Sequence, residues 1–469
     1  MNILQIENDF SYFLTENYKI RHELWDRLRF REKNYFHNRA YKMKKWDGYI
    51  NFFAIETGKF LTGLLPEVTA FLRHNKIEYK VDDKRQHTKF FCENIDKDFL
   101  KESNLELRDY QVELINQVIK HKRGIIFAPT SAGKSLIMIG IIKTLNPNTP
   151  TLVLQNRLSL AHQNYEELVK LKFPNVGHVW GGSVKPNIIT VASVQSVSKI
   201  QKILPKIKVL IVDEIHDMMS RLPKAVYRRL KNTDVRVAVS ATPFKDGGKD
   251  NVQKFSVRGY FGPILKVKSA SEGVLTTSEL QGRGILSKSK CIFYPIREPQ
   301  IPHDIYIDAV TRGIAENLHF HKIVTKLAKA QKGRTLILVD RIAHGDVLHG
   351  LIPGSLWIQG KDDIETRKNV IKELQKSEKD IIAIATQQIF NTGVNIYCHN
   401  LINAAGGQAD HQIVQRIGRG LRTANDKEIL NYHDFIFEIN DYLEKHSRKR
   451  MKILEKQGHE IETKEISSK

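Results

Sequence analysis

Cysteine is scarce. Three residues, Cys92, Cys291 and Cys398, are scattered through 469, and their spacing forms neither a disulfide framework nor a Cys-x-x-Cys metal site. A reducing compartment suits such a chain. No apolar run approaches the roughly 18–20 residues that a spanning helix needs. The opening Met-Asn-Ile-Leu-Gln-Ile-Glu-Asn-Asp lacks the basic start and long apolar core of a secretory signal, so a cytoplasmic location is expected, with no membrane partner. Acidic side chains are also in deficit: 52 Asp and Glu against 74 Lys and Arg leave a formal charge of +22. Such a surplus points to a polyanion, nucleic acid ahead of a membrane surface. The 18 histidines show no ligand spacing. At roughly 150 residues per domain, the length suggests about three domains.

What is present centres on Ala128 to Ser135, read Ala-Pro-Thr-Ser-Ala-Gly-Lys-Ser. The apolar run from Gly124 to Phe127 predicts a buried strand, and Ser135 onward predicts a helix. A loop of this kind between strand and helix cradles phosphates on backbone N–H groups and the positive helix end. Thr130, Ser131, Ala132 and Gly133 would form the cradle, Lys134 would reach the β/γ oxygens, and Ser135 would ligate Mg²⁺. Downstream, Val209 to Val212 predicts a second buried strand, running into Asp213 and Glu214. Asp213 would hold Mg²⁺ through a water, and Glu214 would orient and deprotonate an attacking water. Standing alone, an acidic pair after a core strand is more often a solvated turn. Further strand-like runs at Thr151–Leu154 and Asn187–Val191 alternate with helical stretches and predict a parallel sheet, whose ligands gather at the carboxyl ends of its strands. After 300 the alternation repeats, with apolar runs at Thr335–Val339, Ser355–Ile358 and Asp380–Ala385 and a helix expected over Tyr306–Ala330.

The phosphate loop, Asp213-Glu214-Ile215-His216 and Ser240-Ala241-Thr242, in that order, resemble the superfamily 2 helicases. The resemblance implies an α/β fold of two RecA-like parallel-sheet lobes in tandem, with ATP and Mg²⁺. It also implies that Gln111 reads the adenine edge and that Asn156, Arg157, Gly181, Gly182, Ser193, Gln195 and Thr386 line a nucleic-acid strand. Gly393 would belong to the motif coupling nucleotide to nucleic acid. The run from Gln415 to Arg422 would carry catalytic Gln415 and the fingers Arg419 and Arg422, which neutralise charge on the transferring phosphoryl. Three positions depart from the family pattern: Ala128 stands for the usual first Gly, and Asn156-Arg157 for a common Pro-Thr.

Residues 1–95 predict a small α+β DNA-binding domain. Between Lys19 and Lys45 lie ten Lys/Arg against three Asp/Glu, interleaved with aromatics, a mixture that suits phosphate tracking with stacking platforms. Lys44, Lys45 and Trp46 are the contacts expected there, although aromatics in such a stretch are more often core than stacking platforms, and Trp46-Asp47-Gly48 could be only a turn with its Trp buried. The remaining divisions expected are a first lobe over 96–246 opening on a polar stretch, a linker over 247–300, a second lobe over 301–440 and a peripheral charged helix and tail after 440. Trp46-Asp47-Gly48 is not a general helicase motif. Together with the 129–135 loop, Glu365-Thr366-Arg367, Thr392-Gly393 and the run ending at Arg422, it makes the whole chain resemble the UvsW-like family of phage recombination helicases. That resemblance implies ATP-driven branch migration, fork regression and unwinding of junctions or R-loops, in the host cytoplasm, on DNA whose single strand lies between the lobes. An RNA-directed helicase and a binding module with an idle nucleotide site are the rival readings. The set Lys134, Asp213, Glu214, Arg419 and Arg422 argues against idleness.

Overall fold

Short apolar runs closed by polar residues become strands throughout the chain, and the side chains they bury decide which become sheet centres. The structure is a computed structural model that describes residues 1–244, 250–270, 273–302, 305–377, 379–387, 397–406, 417–418 and 429–465. It divides into two compact units, 1–128 with 133–274, and 275–469 with 129–132.

The first unit opens with β1 (Ile3–Ile6), β2 (Phe10–Leu14), β3 (Arg29–Arg31), β4 (Tyr49–Asn51), β5 (Lys59–Leu61) and β6 (Lys80–Asp83). Four of them form a sheet in the order β5-β2-β1-β6, and β3 pairs with β4 as a separate ribbon. Alternation puts Leu4, Ile6 and Phe13 inward, where they meet Leu24 of helix Tyr18–Arg27 and Val68, Phe71 and Leu72 of helix Leu65–His74.

The large sheet of this unit comprises β7 (Arg123–Phe127), β8 (Thr151–Gln155), β9 (Val176–Trp180), β10 (Ser183–Lys185), β11 (Ile189–Ser193), β12 (Val209–Asp213) and β13 (Val235–Ser240). Its order is β10-β9-β11-β8-β12-β13-β7. All pairings are parallel except the β9–β10 hairpin, which turns at Gly181-Gly182. Continuous burial of β8, β11, β12 and β13 is the mark of a parallel sheet covered on both faces. The edge strand β7 is partly covered by a bridge from Ile125 to Ile264, which shields an otherwise unpaired backbone.

The amino-terminal sheet and the large sheet are fused. Gly63 lies so close to the Arg258 and Gly259 carbonyls that a Cβ there would collide with backbone, and Gly259 in turn faces Leu61. Phe255 packs 4.4 Å from the Phe30 ring centroid, and Arg258 ion-pairs with Glu67. The connecting stretch is pinned as well: the Thr88 N–H donates to buried Asp234 at 2.6 Å, and Ile95 and Asn116 exchange two hydrogen bonds. The polar stretch expected over 96–104 buries Leu100.

The second unit contains β14 (Lys288–Ile296), β15 (Arg334–Val339), β16 (Leu356–Ile358), β17 (Ile381–Thr386), β18 (Asn400–Asn403), β19 (Ile429–Phe437) and β20 (Glu460–Thr463), all parallel, in the order β16-β17-β15-β18-β19-β14-β20. Three expectations change in this half of the chain. The stretch 247–300 is divided between the units, helix Asn251–Phe261 falling in the first and β14 becoming a strand of the second. The helix over Tyr306–Ala330 is interrupted: Tyr306–Val310 runs into a π turn, and Asn317 accepts from the Phe320 N–H at 3.0 Å to start a new helix, Leu318–Lys329. The carboxyl-terminal helix Asp441–Lys456 is not peripheral, because fully buried Arg450 bonds fully buried Asp434 of β19 at 2.8 Å. Asp434 also accepts from Asn403, Tyr432 and the Phe435 N–H, so the buried charge is satisfied on every side.

Candidate nucleotide and nucleic-acid sites

Lys134 opens helix Lys134–Lys143, with Gly133 as its N-cap. Before it the backbone enters the left-handed region at Ser131 (φ 70) and at Gly133 (φ 77), the kind of turn that brings successive N–H groups to one side. Gly133 is required on two counts: its φ is costly for other residues, and the Gln111 amide nitrogen occupies the place where a Cβ would go.

The carboxyl end of β12 supplies the opposite wall. Asp213 closes the strand, 8% exposed, and Glu214 turns at φ 50, a conformation that non-glycine residues enter at some cost and that gathers at functional sites. The turn brings the Glu214 Oε1 to 2.6 Å from Lys134 Nζ. The Ser240 hydroxyl, at the end of neighbouring β13, donates to Glu214 Oε2 at 3.2 Å, and His216 Nδ1 lies 3.0 Å from the same hydroxyl. A hydroxyl has one proton, and that of Ser240 is taken up by the carboxylate, so His216 donates from Nδ1. The Thr242 N–H also donates to Ser240, at 3.1 Å. Glu214 is thus oriented from both sides, by an ammonium and by a His–Ser chain.

Asp213 is pushed up to about 6, first by burial and then by the Glu214 charge, while the Lys134 ammonium pulls the other way. Its ionised form is therefore costly without a cation beside it. A carboxylate and the Ser135 alcohol are oxygen donors of the type Mg²⁺ accepts, and this ion commonly takes one or two protein oxygens and completes its shell with water and substrate phosphate. No cluster of three or more His, Cys, Asp or Glu able to hold a metal occurs among the described residues. The donor set fits Mg²⁺ shared with a nucleotide, not a metal caged by protein alone.

Gln111 sits differently from its expected role. It is 1% exposed, its Oε1 accepts from the Arg108 N–H at 2.9 Å, and its amide nitrogen faces Gly133. It supports the loop as part of a capping box on helix Asp109–His121. Of the strand-facing candidates, Asn156 and Gln195 converge at the ends of β8 and β11, with Gln195 Nε2 donating to the Asn156 carbonyl at 3.0 Å. Arg157 follows as the cap of helix Leu158–Lys170. Gly181 and Gly182 are exposed, with open space where side chains would stand, and Lys199 donates to the Gly181 carbonyl at 2.8 Å. Ser193 departs from the set: it is buried, its hydroxyl held by Ser196 at 3.1 Å. Thr386 ends β17 in the second unit, 5% exposed. Gly393, Gln415, Arg419 and Arg422 lie outside the described residues. Trp46 is half-buried, with Lys44 and Lys45 exposed beside it.

Two supports of Glu214 were missed as such in the sequence: Ser240 and His216. Both stand inside motifs, but their meeting depends on β12 and β13 being neighbours, which no local spacing states.

A phosphate-loop lysine after β7 and an Asp-Glu-x-His turn after β12 of one parallel sheet, followed by a second parallel-sheet unit, define a superfamily 2 ATPase. The family described as "Type III restriction enzyme, res subunit" matches residues 104–245. The ATP-dependent DNA helicase uvsW of Enterobacteria phage T4 is 25% identical over 451 residues, covering 88% of this chain and 86% of that protein. The DNA 3'-5' translocase XPB2 of Sulfurisphaera tokodaii is 26% identical over 378 residues, covering 71% and 82%. In fold the chain is similar to yeast Dbp5 bound to RNA and ADP BeF3, with a TM-score of 0.54 over 81% of this chain and 96% of that one at 17% identity. The chain is an ATP-dependent nucleic-acid helicase of superfamily 2, similar over most of its length to the uvsW helicase. No described helix is long and apolar enough to cross a membrane.

Proposed function

We propose that this chain uses ATP hydrolysis to drive branched DNA through branch migration, fork regression and the opening of junctions and R-loops, in phage recombination, replication and repair within the host cytoplasm. The carrying observation is that the basic, aromatic amino-terminal region and the lobe holding Lys134 and Glu214 form one compact unit, so a grip on duplex and the hydrolytic centre share a body. Similarity to uvsW of phage T4 over 88% of the chain supports the same reading.

In the reaction, Lys134 would bind the β/γ oxygens, and Ser135 and Asp213 would hold Mg²⁺, which supplies charge neutralisation on the phosphates. Glu214, steadied by Ser240 and His216, would accept the proton of the attacking water. Arg419 and Arg422 would neutralise the transferring phosphoryl, with Gln415 beside them. Asn156, Arg157, Gln195 and Thr386 would follow one DNA strand.

The test is the ATPase rate on single strand, blunt duplex, fork, four-way junction and RNA of matched length at one fixed salt. Fork and junction should stimulate most. Greater stimulation by RNA would make this an RNA-directed enzyme instead.

A further inference from the structure

Strands β3 and β4 pair with Arg31 opposite Tyr49, so residues 32–48 form an excursion from a closed ribbon. Its stem is tightly held. The Arg29 guanidinium lies 4.0 Å from the Trp25 ring centroid and 4.0 Å from that of Tyr49, and it bonds Asp47 at 2.8 Å. Asp47 also accepts from the Tyr49 N–H, and Trp46 Nε1 donates to the Tyr49 carbonyl at 2.7 Å. Gly48, at φ 84, leaves room for Tyr35, whose ring would stand 2.8 Å from an added Cβ. Trp46-Asp47-Gly48 is therefore a clasp: each of its residues fixes the base of the excursion.

The tip is built otherwise. Asn38 caps the short helix Arg39–Lys42, and the chain returns through Lys44 at φ 55. Arg39, Lys42, Lys44 and Lys45 are exposed, and among the described residues none of them is ion-paired with a carboxylate. Phe36 is 50% exposed. Among them is a concavity of about 610 Å³ lined by Phe36, Tyr41 and Trp46 with Lys42, Lys44 and Lys45, and by Asp47, whose charge is taken up by Arg29.

Lysines alone would suffice for a duplex, which offers phosphates and keeps its bases stacked. Aromatic faces gain only from a base whose π-face is open. A bilayer would need a protruding apolar surface, whereas this one is concave and ringed by cations. We propose that this concavity takes one unpaired nucleotide of DNA, its base against the Phe36–Tyr41–Trp46 surface and its phosphate on the lysines. The proposal rests on the DNA reading above and adds that the excursion on the β3–β4 ribbon senses an unpaired strand beside the duplex.

The test uses the full chain and two substrates of equal duplex length, one blunt and one carrying a short single-stranded tail. Phe36→Ala should weaken binding of the tailed substrate by roughly fivefold or more, the scale of one stacked base, and leave blunt duplex unchanged. Phe36→Trp should restore it. With 4-thiothymidine in the tail, photocrosslinks should map to residues 36–46. Lys44→Ala with Lys45→Ala should weaken both substrates and lower the slope of log affinity against log salt by about 0.9 per lost duplex contact. If Phe36→Ala weakens blunt and tailed DNA equally, or leaves both unchanged, the nucleotide site is refuted. So it is if crosslinks fall only outside 36–46, or if vesicles of anionic lipid compete for the site better than tailed DNA. A lysine variant with no effect on either substrate would refute both the phosphate half of the nucleotide site and the duplex grip.

Discussion

Replacing Asp213 by Asn should make the Mg²⁺-free protein more stable while abolishing hydrolysis. The folded carboxyl is held at about 6 against an ordinary 3.8, chiefly by burial and next by the Glu214 charge. Because the folded value is raised, the folded state binds the proton more tightly than the unfolded chain does. Below 3.8 both states are protonated and nothing is lost. Between 3.8 and 6 stability falls as pH rises, and above 6 the full penalty applies. That penalty, the free-energy equivalent of moving the carboxyl from 3.8 to about 6, is about 3 kcal/mol. At pH 5 roughly half of it applies. Asn keeps the shape without the charge, so Asp213→Asn should raise the melting temperature of the first unit by about 5 °C at pH 8, given the entropy of unfolding a body of this size. The gain should be about half that at pH 5. Calorimetry in EDTA at both pH values measures it, and Mg²⁺ with nucleotide should stabilise the wild type more than the variant. An equal gain at both pH values, or none at pH 8, would refute the claim that a buried charge is maintained there at a cost for a cation to relieve.

Lys134→Ala should abolish hydrolysis and leave DNA affinity within about twofold, while Glu214→Gln should retain nucleotide and trap a DNA-bound state; filter binding with labelled ATP and DNA separates the two. Arg419→Ala and Arg422→Ala should each lower kcat on the order of 100-fold with ATP affinity little changed, the scale of one lost transition-state donor; the reverse pattern in steady-state and binding assays would make them ground-state contacts. Arg450→Met should destabilise the second unit by about 3–5 kcal/mol by stranding Asp434, and adding Asp434→Leu should recover much of the loss in urea titrations.

The candidate nucleotide site was legible because its parts are contiguous. A strand, a loop and a helix start at 124–137, and a strand closing on carboxylates at 209–214, carry their own chemistry. The parallel sheets followed from apolar runs of strand length alternating with helices. What could not be read joins residues far apart in sequence: Ser240 to Glu214 across two strands, Arg450 to Asp434, and Gly63 against Arg258. The buried Ser193 bonds only three residues away, to Ser196, but its burial comes from the packing around the end of its strand, which no local pattern states. One miss had a local signal. Asn317 before Leu318-His319-Phe320 is a helix start, and the interruption of the 306–330 stretch could have been placed there. The polar stretch at 96–104 and the charged tail misled for a shared reason: sparse apolar residues such as Leu100 and Leu454 anchor them, and average polarity hides single anchors.

The seam at Gly63 bears on the mechanics of the motor. Backbone pressed against backbone, with the Phe30–Phe255 contact and the Glu67–Arg258 pair on the same join, leaves no slack for a hinge. The excursion at 32–48 is thus carried by the lobe that holds Lys134, as a rigid outrigger. Its footprint on a DNA track would advance in the same increments as that lobe, without lag. Transplanting it onto another engine would require moving helix Asn251–Phe261 with it.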